Sequence, residues 1–353
     1  AWNTSIGQWS NLTDFPVYDL KPERTNSFEV GMNMRFLKNF ELDVTYYNAK
    51  TMNQTFNPEL PVGEYARIYI QTGAVRNQGL ELALNYNNTW KDFTWNTGVT
   101  YSMNKNKILT LADNAINPIT HEKFSISSLN MGGLGSTRFI LKEGGSMGDI
   151  YSLMDLKRDA NGAVYIDENN SVVTESLEAN NYIKLGSVLP KGNLAWRNNF
   201  SWKNINVAFL VSARLGGVVF SRTQAVLDNF GVSEASAAAR DKGYVSVNGN
   251  DRVNPEGWYS VVAGGTAVPQ YYIYSATNIR LQEASIGYTI PRKWLGNVCD
   301  IKVSLIGRNL WMIYNKAPFD PESVASTDNF YQGIDYFMMP SLRNIGFNLS
   351  FKF

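Results

Sequence analysis

The sequence predicts an all-β protein, a transmembrane antiparallel β-barrel with long extracellular loops, and three observations carry that expectation. Apolar and polar residues alternate with period two along much of the chain, the mark of strands whose two faces meet different surroundings. The connections between those strands are alternately short and very long. Of 353 residues only 18% are charged while 13% are aromatic, against roughly 25% charged in an ordinary soluble domain. No stretch approaches the roughly 18–20 uninterrupted apolar residues of a membrane-crossing helix, so strands must do any crossing.

Taken in chain order, "SFEVGMNMRF" puts Phe28, Val30, Met32, Met34 and Phe36 on one face and Glu29, Gly31, Asn33 and Arg35 on the other. "FELDVTY" splits Phe40, Leu42, Val44 and Tyr46 from Glu41, Asp43 and Thr45. "GLELALNY" and "FTWNTGVTY" repeat the pattern with Leu80, Leu82, Leu84, Tyr86 and with Phe93, Trp95, Val99, Tyr101. "NLAWRNNFSW" sets Leu194, Trp196, Phe200 and Trp202 opposite Ala195, Arg197, Asn199 and Ser201, and "INVAFLVSAR" sets Ile205, Val207, Phe209 and Val211 opposite Asn206, Ala208, Ser212 and Arg214. In "NIRLQEASIGY" the apolar parity slips between Leu281 and Ala284, which a β-bulge near Gln282 or Glu283 explains. "DIKVSLIGRNL" adds Ile301, Val303 and Leu305, and the chain finishes on Ile345, Phe347, Leu349, Phe351 and Phe353. Alternation carried to the final ring implies an apolar solvent on one side of the last strand.

Short turns are expected at 37–39, 87–92 and 203–204, with a longer one at 291–300. Long irregular segments fall at 53–75, 106–190, 217–276 and 314–339. Short turns at one end and long loops at the other are the habit of outer-membrane barrels, and compact soluble domains rarely hold such loops. A soluble β protein also alternates; rings near the ends of the runs, such as Phe28 and Phe36, fit interfacial girdles better. The strands at 25–37 through 341–353 make nine crossings, with a further hairpin expected beyond the membrane within 106–190. Nine strands would leave two open edges in lipid, and bacterial barrels have even strand numbers. The opening "AWNTSIGQWSNLTDFP" has no start methionine or leader pattern and reads as the interior of something longer.

The same residues resemble the SusC-like TonB-dependent transporters of Bacteroidetes outer membranes. "LKPERTNSFEVGMNMRF" and "LDVTYYNAKTMNQ", then "VRNQGLELALNY", "LPKGNLAWRNNFSW", "TNIRLQEASIGYTIP", "GRNLWMI", "FDPES" and the aromatic C-terminus follow that family in order and spacing over essentially the whole chain. The resemblance implies the last nine strands of a barrel of about 22, with residues 1–353 as its C-terminal portion and the plug domain and TonB box lying outside this chain. It implies import driven through TonB, a SusD-like surface lipoprotein as lid, the outer membrane as location, and no catalysis or cofactor. Import of an oligosaccharide is the leading expectation and of an oligopeptide the alternative. An open porin, and a cell-surface β-rich adhesin or glycan-binding module, are rival readings.

Composition excludes other classes. Lys and Arg number 32 against 31 Asp and Glu, leaving no electrostatic footprint for nucleic acid. Cys299 and His121 are each alone, so no disulfide, thiolate zinc cluster or multi-His metal site can form within the chain. The glycines of "NMGGLGSTRF" and "KEGGSMG" lack the Lys-Ser/Thr of a phosphate loop. "RDANGAVYIDENN" gathers Asp159, Asn161, Asp167, Glu168 and Asn169, but its spacing fails the EF-hand rule and fits a hairpin turning at Asn161–Gly162; no metal is expected. Sequons at Asn11 and Asn348 reflect an asparagine-rich chain.

Candidate cargo contacts are the loop aromatics Trp258, Tyr259, Tyr271, Tyr272, Tyr274, Phe330, Tyr331, Tyr336 and Phe337, which can stack on sugar rings or peptide side chains. Packing of the loops on one another, or on a lid, is the commoner use for such rings. Glu29, Arg35, Asp43, Glu81 and Arg197 are expected to face the lumen, against a plug, along the transport path, or paired across the wet interior. Asp320, Pro321 and Glu322 of "FDPES" read as an Asp-Pro turn.

Overall fold

The computed structural model describes residues 2–3, 8–9, 21–56, 70–116, 121–265, 267–296, 298–326 and 331–352. Nine strands form one continuous antiparallel meander, as the alternation predicts. They are β1 (Arg24–Phe36), β2 (Phe40–Phe56), β3 (Ile70–Trp90), β4 (Phe93–Thr110), β5 (Gly192–Trp202), β6 (Ile205–Leu215), β7 (Asn278–Ile290), β8 (Asp300–Asn315) and β9 (Asn344–Lys352). Each pairs with its neighbours in the chain.

The register shows that this sheet is a tilted wall. One hydrogen-bonded row runs Phe36, Phe40, Tyr86, Thr97, Asn198, Phe209, Ala284, Gly307, Ile345. It begins at the short-turn end of β1 and finishes beside the opposite, long-loop end of β9. Such a stagger is what closing a sheet into a barrel requires. Burial is inverted relative to a soluble sandwich: Val30 is 55% exposed and Phe347 77%, and Met32, Leu305, Ile345, Leu349 and Phe351 are exposed too. No second layer covers that face among the described residues, and hydrocarbon is the medium in which such a face is stable. Phe353 and Phe330 lie outside the described residues.

Rings mark a level on this wall. Phe36, Phe40, Tyr86, Trp95, Phe200 and Phe209, one from each of β1 to β6, follow one another with centroids 4.7–6.2 Å apart. A belt of amphipathic rings at one height is how a barrel sits at a membrane–water boundary. Asn198, though of outward parity, is buried beneath the belt and accepts the Trp95 indole N–H at 3.1 Å.

Several sequence-level details hold and others shift. The turn 37–39 places Leu37 and Lys38 at φ 48° and 63°, and Lys203 turns the β5–β6 hairpin at φ 50°. The expected 87–92 turn shrinks to Lys91–Asp92 because β3 and β4 stay paired to the tip, where Trp90 stacks on Phe93 at 6.0 Å and the Thr89 and Thr94 hydroxyls bond at 3.0 Å. The bulge is real: Leu210 pairs with Glu283 and Val211 with Leu281, leaving Gln282 out. Toward β8 the same point leaves out Asn309 and Leu310, with Asn309 at φ 50°. Strands β2, β3 and β4 have 17, 21 and 18 residues, well beyond the roughly 9–11 a crossing needs, so their upper parts stand clear of the bilayer. Gly79 lets them pair closely under Tyr47, since a Cβ there would lie 2.2 Å from the Met103 carbonyl oxygen and 2.5 Å from the Tyr47 hydroxyl.

The described parts of the long segments hold regular structure. A four-stranded antiparallel sheet orders residues 183–187, 149–152, 137–142 and 128–134, where the sequence suggested one hairpin. Residues 218–221 pair antiparallel with 273–275 and parallel with 334–335, joining two long segments. Three helices follow: α1 (Arg222–Asn229), α2 (Glu234–Lys242) and α3 (Pro255–Val262). Ser221, Ser233 and Asn254 cap their N-termini, each side chain accepting a backbone N–H, and Gly243 closes α2 at φ 84°. Phe139, Ile150, Leu156, Phe220, Val262, Val268 and Ile334 make a shared core. The cap is thus a packed layer with an apolar interior, standing over a wall whose own apolar face points outward.

Candidate functional site

Below the cap, the polar faces of β2 to β6 form a concavity of about 540 Å³. Thr45, Thr100, Ser102, Asn193 and Ser212 line it with hydroxyls and a carboxamide, and Asp43, Glu81, Arg214 and Glu322 add charge. Alternation is what puts the strand residues among these groups on one surface, since each lies at the parity opposite the outward rings, and Glu322 reaches the concavity from the loop above. Asp43 accepts a hydrogen bond from the Asn33 amide, and Arg35 reaches Glu41 at 3.1 Å across the β1–β2 pair. That exposed pair contributes at most about 1 kcal/mol. Arg197 approaches the space above Gly98 beside the Asn85 side chain. Cross-strand pairing of this kind is one of the uses expected for the lumen charges.

The roof of the concavity is the 319–323 loop, and a buried cation holds it. Arg280, 5% exposed on β7, donates to Asp320 Oδ1 at 2.8 Å and to Asp320 Oδ2 at 3.3 Å, and lies 3.0 Å from Glu322 Oε2. Its Nε donates to Asn278 Oδ1 at 3.2 Å. Ser341 completes the carboxylate from the approach to β9. Asp-Pro chemistry explains the turn, but the sequence gives no signal that Arg280 is its anchor.

The loop aromatics divide by environment. Tyr272 is 2% exposed within the cap core and its hydroxyl donates to Asp228 Oδ2 at 3.0 Å. Burial first, then the charge and hydrogen bond of Asp228, push that phenol far above its ordinary value. Burial likewise raises Tyr259, Tyr271 and Tyr274, so these hydroxyls stay neutral donors. Trp258 packs on the core and meets Tyr271 edge-on at 5.2 Å. Tyr274 meets Phe319 at 5.5 Å. Tyr271, Tyr331, Tyr336 and Phe337 present exposed rings, the last two 5.6 Å apart. Phe337 sits at φ 51° with its N–H on the Thr223 hydroxyl at 2.7 Å. Tyr272→Phe is expected to leave a buried carboxylate one donor short and lower cap stability by about 1.5–3 kcal/mol, read as earlier hydrogen exchange in α1 and 269–275 with the barrel strands unchanged.

The Asp159 and Asp167 turns are self-satisfied. Asp159 Oδ1 accepts the Asn161 and Ala163 N–H groups at 2.8 and 3.0 Å, with Gly162 at φ 83°. Asp167 repeats this eight residues on, with Asn169 and Ser171 at 3.0 and 2.9 Å. Among the described residues no group of three or more His, Cys, Asp or Glu is arranged to hold a metal ion.

A family model described as "TonB dependent receptor-like, beta-barrel" matches residues 3–310. TonB-dependent receptor P3 of Formosa agariphila is 26% identical over 383 aligned positions, covering 97% of this chain and 35% of the relative. TonB-dependent receptor P26 of the same organism is 27% identical, covering 94% and 34%. The chain therefore spans about a third of the length of these curated relatives. Among solved structures, the RagAB peptide importer in its closed-closed state superposes with a TM-score of 0.68 at 16% identity, covering 94% of this chain and 35% of that one. Its open-open state gives 0.66 at the same identity, covering 95% and 35%.

Proposed function

The chain belongs to the TonB-dependent receptor-like β-barrel family, and from that premise we propose that the protein it is part of imports a large nutrient, an oligosaccharide, across a bacterial outer membrane of the Bacteroidetes type. One observation carries the reading: a wall with hydrocarbon-facing residues outside and a hydroxyl- and carboxamide-lined concavity inside stands beneath a cap bearing exposed rings. Hydroxyls and the Asn193 carboxamide match a polyhydroxylated cargo, and exposed Tyr271, Tyr331, Tyr336 and Phe337 supply stacking faces. In this reading the short turns face the periplasm, the cap faces outward, and a SusD-like lipoprotein closes over it. TonB acts through a part of the protein outside these residues. Among the described residues the sheet edges at β1 and β9 are each paired on one side only, and further strands of the same barrel, around a plug, complete their backbone hydrogen bonds.

A second reading, import of oligopeptides, is favoured by the charge of the concavity, where Asp43, Glu81 and Glu322 outnumber Arg214 and would attract basic peptides. Uptake by the host strain of fluorescent oligosaccharides and of basic peptides, with and without the gene and with a protonophore, tests both. Energy-dependent sugar uptake that vanishes with the gene is expected; uptake unaffected by deletion for every probe would overturn import altogether.

A further inference from the structure

A second cleft, of about 600 Å³, opens on the cap between α1, α2 and α3. Asp228 lines it and is only 6% exposed. Its carboxylate accepts the Tyr272 hydroxyl at 3.0 Å and Gln224 Nε2 at 2.9 Å, both neutral donors. None of the ion pairs among the described residues includes it. It also occupies the last turn of α1, where the helix dipole favours a cation, and α1 has no basic residue there. Arg240 also lines the cleft and donates to the Gly231 carbonyl at 2.5 Å. Glu256 adds a second carboxylate to the rim.

A buried anion at a helix C-terminus is costly without a countercharge, and rings stand where a cation would enter. Tyr259 lines the cleft and Phe230, 73% exposed, stands at its edge; aromatic faces stabilise ammonium groups. Each carboxylate oxygen already holds one donor, which disfavours the two-pronged approach that a guanidinium prefers. A compact ammonium needs only a single remaining lone pair.

We propose that this cleft binds a primary ammonium group carried by the cargo, seated between Asp228 and the rings of Tyr259 and Phe230. Lysine side chains and amino sugars share that chemistry. The inference rests on the reading of the cap as the face that meets cargo, and it adds a charge requirement to it.

The test is calorimetric titration of the detergent-solubilised full-length transporter with two probe pairs: Nα-acetyl-lysine methylamide against its Nε-acetylated form, and a glucosamine dimer against the N-acetylglucosamine dimer. At least one aminated probe is expected to bind about tenfold more tightly than its acetylated partner, as a charge-assisted contact should. Which pair shows the preference identifies peptide or sugar as the source. In Asp228→Asn the preference should vanish. Equal binding within both pairs, or a preference that survives Asp228→Asn, would overturn the proposal. If Asp228→Asn fails to fold, Phe230→Ala decides instead, because that ring is exposed: a loss of about threefold supports the site and unchanged affinity refutes it. Binding is read on purified protein and uptake in cells, so import without an ammonium preference sinks only this inference, whereas a preference without import sinks only the reading of function.

Discussion

Arg280→Met should detach the 319–323 loop from the barrel while leaving the nine strands paired. The substitution keeps most of the side-chain volume but strips Asp320 of the cation that faces it at 2.8 Å and deprives Glu322 of its contact at 3.0 Å. Leaving one member of a buried pair without its countercharge costs about 3–5 kcal/mol. That cost falls on a roof segment otherwise tied by the Ser341 hydroxyl to Asp320, by Phe319 against the Tyr274 ring at 5.5 Å, by the Asn315 side chain to the Ala317 and Phe319 carbonyls at 2.9 and 2.6 Å, and by Ala325 N–H to the Ile334 carbonyl at 2.8 Å. Hydrogen exchange and protease cleavage should therefore accelerate across 316–326, and the 540 Å³ concavity should lose its roof. Arg280→Met combined with Asp320→Asn should recover much of the loss, because the more buried of the two stranded carboxylates is then gone and Glu322, 40% exposed, keeps its contact with water. Equal damage in the single and double variants would mean that packing, not charge, holds the loop.

Acid should open the same clamp, and the sign follows from Asp320. Burial alone would raise its carboxyl, but hydrogen bonds from Arg280, Ser341 and the Glu322 amide, with the charge of Arg280, outweigh burial and hold it below its ordinary 3.8. The unfolded group takes up its proton at higher pH than the folded one. The stabilisation is thus complete above about 3.8 and disappears as pH falls through the lower folded value. A loop whose protection factor, exchange corrected for the intrinsic pH dependence of free amides, stays constant from neutrality down through that window would contradict the assignment.

What could be read from residues alone was the wall, and the reason is physical. Lipid on one side and water on the other force every second residue of β1 to β9 to change character, so Val30, Leu82 and Phe347 announce their side without any knowledge of partners. The bulge at Gln282 was legible for the same reason, as a break in parity. The cap obeys no such rule. Its core joins Phe139, Phe220, Val262 and Ile334 from distant segments, and period-two patterning carries no information about such contacts. Its helices have eight or nine residues each, too few for a 3.6-residue period to stand out. The end signals of α2, Ser233 with Glu234 before and Lys242 with Gly243 after, and Asn254–Pro255 at the start of α3, were there to be found. Among the aromatics, composition could not separate Tyr272, sealed beside Asp228, from Tyr336 in solvent. Asp228 itself carries no sequence signal, because its position depends on α1 meeting 269–275.

Leu82→Arg is expected to cost about 2–4 kcal/mol of barrel stability, whereas Thr45→Arg, in the adjacent strand but at the opposite parity, should cost far less. The two positions lie close together: Leu82 pairs with Val44, whose chain neighbour is Thr45. Strand propensity, register and backbone hydrogen bonds are therefore nearly the same in the two variants, and only the medium differs. Leu82 stands four residues above Tyr86 of the aromatic belt on β3, about 10 Å along the membrane normal once strand rise and barrel tilt are allowed for. That is near the middle of an apolar band about 25 Å tall, where an arginine must snorkel or thin the bilayer. At position 45 the guanidinium would enter the aqueous concavity between Asp43 and Glu81. Reversible unfolding of the full-length barrel from lipid vesicles, with the folded fraction read by heat-modifiable gel mobility, measures both. Moving the same pair of substitutions to Ala83→Arg and Val44→Arg should reverse the strands and preserve the rule, the outward Val44 being the costly one. If the inward variants instead proved as damaging as the outward ones, the exposed face of β1 to β9 would be packing against protein. The import reading would then lose the membrane it depends on.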